Sequence, residues 1–134
     1  MNTTVDRPSP DVAVIALDGE LDASNYRELI ERGQALYADG ARRLVLDLAQ
    51  LTYMASSGIV ALHSLALVFR GLQPPDPEAG WSAFHAVSAD EEDGHAADQV
   101  RLAAPVPAIA SVLARTGLDR ILRVYADREA ALAG

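Results

Sequence analysis

The stretch from Arg42 to Phe69, RRLVLDLAQLTYMASSGIVALHSLALVF, constrains the fold more than any other part of the chain. Its first part, with "RRLVLDLA" at its head, is a continuous apolar run, as expected of an interior strand covered on both faces. Its last part predicts a helix from about Ser57 to Arg70, stopped by Gly71. Ile59, Val60, Leu62, Leu65, Ala66, Val68 and Phe69 leave that helix almost no polar face, so it belongs at the centre of the molecule. A buried strand feeding a buried helix through a short Ser-Ser-Gly turn is the heart of an α/β fold.

The flanking segments extend the same pattern. "TTV", "PSPD" and "VAVIALDG" predict a short strand, a turn and a second strand, which make an N-terminal hairpin. A helix follows from about Ser24 to Ala38, with Tyr26, Leu29, Ile30, Gly33, Leu36 and Tyr37 on one stripe. Asp22 or Ser24 is its candidate cap, and Gly40 its stop. Beyond the central helix, "QVRLAA" predicts a strand, Pro107 opens a helix that Gly117 ends, and "RILRVYA" predicts the last strand. "DREAALAG" forms a short terminal helix capped by Asp127. Strands alternating with helices require crossover connections and a parallel sheet. The predicted fold is therefore α/β: a small mixed, mostly parallel sheet of four to five strands with about four helices.

One domain accommodates all 134 residues. The interruption is an acidic insertion at about 73–98. Pro74, Pro75 and Pro77 exclude regular structure at its start, and Asp76, Glu78, Asp90, Glu91, Glu92, Asp93 and Asp98 face no arginine within it. "WSAFHAV" is its one candidate strand. The formal net charge is −8 and every basic residue is arginine. Without lysine there is no Schiff-base chemistry and no phosphate-binding loop of the lysine type. An acidic chain repels the nucleic-acid backbone. Without cysteine there is no disulfide framework and no thiolate metal site. No apolar stretch reaches membrane-spanning length and the start is not a secretory signal, so a cytoplasmic location is expected.

The polar groups offer little catalysis. Asp90 to Asp93 with His95 lack the alternating oxygen ligands of a calcium loop and read as a solvated acidic segment, so no metal is expected. His63 sits in the apolar helix as a satisfied, partly buried side chain. Ser57 and His63, six residues apart, fall on nearly opposite sides of a helix and form no nucleophile–base pair. An enzyme is not expected. Ser56 and Ser57 differ because they fall between the carboxyl end of an interior strand and a helix start, where open α/β sheets place ligands and where an anion is favoured. A serine that merely caps the helix is the plain alternative there.

The hairpin, "DGELD" at 18–22, "RRLVLDLAQLTYM" at 42–54, "SSG" at 56–58 and "RTGLDRIL" at 115–122 together resemble the STAS domain family, and within it the bacterial anti-sigma factor antagonists. The resemblance covers nearly the whole chain apart from the insertion. It implies a regulatory binding protein that sequesters an anti-sigma factor kinase and loses its grip when a serine of the turn is phosphorylated. A phosphatase restores the binding form. Carried onto this chain, the phosphorylated serine is Ser56, and the partner-binding set is Asp22, Ala55, Ser56, Ser57, Gly58 and Ile59. No cofactor is implied, since ATP belongs to the partner. The family's usual aspartate before the serines is Ala55 here, which removes a helix cap and a charge beside the acceptor. Two other uses of such a domain are a phosphorylation-independent subunit of a stress-signalling or ATP-driven transporter assembly, and a small-molecule or lipid sensor with a pocket between the central helix and the Trp81 segment.

Overall fold

The computed structural model describes residues 1–71 and 97–133. The predicted insertion, with its acidic cluster and the Trp81 segment, lies outside the described residues except at positions 97 and 98, where a strand begins.

Two strands, β1 (Asn2–Ser9) and β2 (Val12–Leu21), pair antiparallel with Val5 opposite Ile15. The predicted turn is tighter than "PSPD" and the first strand longer than "TTV", because Pro8 lies inside β1. The register shifts between Asp6 and Ser9, and β1 is the edge of the sheet, the place where a strand tolerates a proline. From β2 the chain runs through α1 (Tyr26–Ala38) to β3 (Arg43–Met54), and through α2 (Ser56–Phe69) toward β4 (Ala97–Ala103). Then come α3 (Pro107–Thr116), the short α4 (Leu118–Ile121), β5 (Leu122–Tyr125) and α5 (Arg128–Ala133). Gly40 at φ 111° and Gly117 at φ 79° end α1 and α3 as predicted, in a conformation that a Cβ would strain. The turn of α4 was not expected, and it shortens the last strand from the predicted "RILRVYA".

The sheet order is β1-β2-β3-β4-β5, with β2 to β5 parallel. Each crossover moves one strand further in the same direction, so crossovers of one hand set their helices on the same face. That face holds the main core, where Ala13, Ile15 and Leu17 of β2, Leu44, Leu46 and Leu48 of β3, and Val100 and Leu102 of β4 meet α1, α2 and α3. α2 is buried along nearly its whole length, as its composition requires, and His63 within it is fully enclosed rather than partly buried. α1 crosses it closely at Gly33, where an added methyl would collide with Leu65 Cδ2. Tyr37 and Phe69 meet edge to face at 5.5 Å.

The opposite face has a smaller cover. Val14, Val45 and Ala103 pack against Ala131 of α5, with Tyr125 and Leu132 at the margin. Arg101, 3% exposed, reaches across to donate to the Ala131 carbonyl at 2.8 Å, and Arg128 pairs with Asp47 at 3.0 Å. Asp127 accepts the Ala130 N–H at 2.7 Å, which caps α5 as the sequence predicted. Among the described residues no helix is long and apolar enough to cross a membrane.

Candidate functional site

Parallel pairing of β2 with β3 brings Leu21 opposite Met54, so the loop after β2 and the turn after β3 leave the sheet side by side. They are stitched together by the backbone: the Ala55 N–H donates to the Leu21 carbonyl at 2.9 Å. Asn25 braces the first loop, donating from Nδ2 to the Glu20 carbonyl at 2.8 Å and accepting the Asp22 N–H on Oδ1 at 3.0 Å. Asp22 turns its carboxylate onto the Ser24 hydroxyl and the Ser24 N–H, the latter at 2.9 Å. Those two donors, the hydroxyl foremost, hold the Asp22 carboxyl below its usual pKa, so the surface carries a fixed negative charge there. Neither cap candidate caps α1. Asp22 and Ser24 are spent on each other, and the helix starts from Asn25 without a side-chain cap.

The second loop is a single residue. Ala55, at φ −80° and ψ 173°, has the extended backbone of an N-cap, and α2 begins at Ser56, one residue earlier than predicted. No side chain caps α2. This is the position at which the resemblance would place an aspartate, and alanine leaves the first N–H groups of the helix without a side-chain acceptor. Ser56 is exposed as the first helical residue. Ser57 is half-buried, and its Oγ is closed off from solvent with no hydrogen-bond partner among the described residues. It therefore does not support the helix start, as a capping serine would. Gly58 is buried where a methyl would lie 2.6 Å from Met54 Cγ and 3.0 Å from Leu21 Cδ2, and Ile59 is in the core. Of the predicted partner-binding set, Asp22, Ala55 and Ser56 reach one surface, Ser57 borders it, and Gly58 and Ile59 set the packing beneath it.

Replacing Ser57 by alanine should accordingly raise stability by up to about 1 kcal/mol, since it removes an unsatisfied buried hydroxyl and improves helix propensity. Chemical denaturation measures it. A loss of 1 kcal/mol or more would show that the hydroxyl has a partner in solution.

Sequence reasoning missed Tyr53, which stands exposed at the end of β3 beside this turn. The available signal was the pair of polar or aromatic residues Thr52 and Tyr53 between the core residues Leu51 and Met54, a break in strict alternation. Among the described residues no cluster of acidic and histidine side chains is suited to a metal ion. His63 is sealed inside α2, apart from the exposed Ser56 turn.

A family model described as "Mlab, STAS domain" matches residues 5–74, over half of the chain. No curated protein matches the sequence. Among solved structures, an anti-sigma factor antagonist from Mycobacterium paratuberculosis is 22% identical at a TM-score of 0.68, covering 98% of this chain and 91% of its own. The anti-sigma factor antagonist SpoIIAA in its unphosphorylated form is 17% identical at a TM-score of 0.64, covering 98% and 93%. The Bacillus cell fate determinant SpoIIAA in its phosphorylated form is likewise 17% identical, at a TM-score of 0.59, covering 98% and 97%. At these identities the likeness establishes a shared fold.

Proposed function

The chain belongs to the STAS domain family, and on that premise we propose that it is an anti-sigma factor antagonist, a non-enzymatic protein that sequesters an anti-sigma factor kinase and is switched off by phosphorylation of Ser56. The observation that carries this reading is the placement of Ser56. Its side chain is exposed at the first position of a helix without a side-chain cap, beside the ionised Asp22 loop and above the buried Gly58 and Ile59. Neighbours of the same fold named as anti-sigma factor antagonists, one of them solved in a phosphorylated form, support it.

Phosphate at Ser56 would add a charge of about −1.5 to −2 at the start of α2. The free N–H groups and the positive end of the helix dipole tolerate that anion, so the fold stands while the surface changes. A partner that fits the neutral turn would then have to desolvate a phosphate alongside Asp22, and binding falls. A phosphatase reverses the switch, and ATP stays with the kinase.

Ser56→Asp should weaken binding to the anti-sigma factor at least tenfold, about 1.4 kcal/mol, with little change in melting temperature. Affinity capture from the native cell, with partners and Ser56 phosphorylation read by mass spectrometry, identifies the kinase for that titration. Ala55→Asp supplies the missing cap and should add about 0.5–2 kcal/mol of stability. If the kinase modifies Ala55→Asp but not the wild type, this protein binds constitutively, as a phosphorylation-independent subunit would. Equal binding by Ser56→Asp and wild type would end the switch assignment.

A further inference from the structure

The end of the sheet that carries Ser56 also holds the most exposed of the large apolar side chains among the described residues, Tyr53 at 52%. Regular alternation would not put it there. Leu51 and Met54 both enter the core although two residues separate them, which a strand of period two cannot manage. The register between β2 and β3 supplies the extra residue: Gly19 and Glu20 are consecutive, yet they face Leu51 and Tyr53. A bulge of this kind re-aims side chains, and here it turns both Thr52 and Tyr53 outward. Thr52 is tied down, its hydroxyl donating to the Gly19 carbonyl at 3.0 Å. Tyr53 makes no ring contact, hydrogen bond or ion pair among the described residues. The backbone is thus irregular at this point and the outcome is an aromatic ring in water, with no return to the fold.

The ground around it is prepared for contact. The Ala55 to Leu21 hydrogen bond and the Asn25 brace hold both neighbouring loops, so a partner meets a surface that needs little ordering. Tyrosine suits such a place, because it buries much apolar area with few rotamers to freeze and keeps a polar tip for the rim. We propose that Tyr53 is the anchor through which this surface docks its protein partner, its ring entering an apolar pocket on the anti-sigma factor while Ser56, three residues along the chain, lies at the border of the same contact. The proposal rests on the anti-sigma factor antagonist reading and adds to it the residue that carries the affinity. It also explains the reach of the switch: a phosphate next to a ring that has expelled water is charged where charge is costly.

The test compares wild type, Tyr53→Ala, Tyr53→Phe and Val124→Ala by surface plasmon resonance against the purified anti-sigma factor kinases of the source organism, with thermal unfolding and sedimentation of each variant alongside. Val124 is the control, 40% exposed on β5 at the other edge of the sheet from β1. Tyr53→Ala should lose at least tenfold in affinity at an unchanged melting temperature, Tyr53→Phe should stay within about threefold, and Val124→Ala should match wild type. If wild type binds and Tyr53→Ala binds equally, the anchor is overturned while the antagonist reading stands. If both alanine variants weaken alike, or Tyr53→Ala changes only self-association or vesicle binding, the anchor is also overturned. If wild type binds none of the kinases, the antagonist reading falls and takes the anchor with it.

Discussion

Leu65→Ala lowers the free energy of unfolding by about 2–5 kcal/mol. Leu65 is fully enclosed in the middle of α2, a helix with core on nearly every side, so the lost methyl groups leave a cavity that little can collapse into. Against a total of about 5–15 kcal/mol for a domain of this kind, the loss approaches the margin of folding. Phe69→Ala, one turn later and 3% exposed, belongs to the same range. Urea unfolding gives both values. A near-zero effect at both sites would mean that this side of α2 opens to a ligand, which would favour the sensor alternative over a packed regulatory domain.

Gly33→Ala tests the same contact from the other helix and has the less obvious sign. Alanine favours a helix over glycine by about 0.8–1 kcal/mol, so propensity alone predicts stabilisation. The new methyl would collide with Leu65 Cδ2, so the fully buried Leu65 side chain would have to shift within the core. Overpacking costs about 1–3 kcal/mol, which outweighs propensity, and the variant is expected to be less stable than wild type. The double variant Gly33→Ala/Leu65→Ala separates the two effects. With the leucine methyls gone, Gly33→Ala becomes stabilising in that background, and the coupling between the sites is of opposite sign to the single-site loss. Additive losses would show that Gly33 is constrained by something other than Leu65.

The two helices in that contact were legible because their apolar residues recur at helical spacing, and the glycine stops Gly40 and Gly117 because glycine takes the positive φ of a helix end without strain. The end of β1 was less legible, since proline in a sequence reads as a turn until the strand is known to be an edge. α4 is too short to establish a period of its own. At the site, the sequence pointed to Ser56 and to the join between β3 and α2, yet it left open whether a serine of the pair caps the helix. Cap preference is a statement about residue types, whereas the cap is decided by which residue takes the extended backbone, and that residue is Ala55. Tyr53 escaped notice because the break in alternation at Thr52 and Tyr53 reads as a bulge only against the register with β2, and that register is not displayed by β3 alone.

The sheet order, in which every described strand lies beside the described strand before it, has a consequence for the ribosome-bound protein. Each strand finds its partner already synthesised, so the order of translation is also an order of assembly, and few pairings wait for a distant segment. The wait that remains is at β3. Its far edge and the underside of α2 are completed by β4, and residues 72–96 must be translated first, roughly 1–5 s at ordinary elongation rates. During that interval the nascent chain presents an open strand edge beneath its most apolar helix. That is the point in its life at which a chaperone has the most to hold.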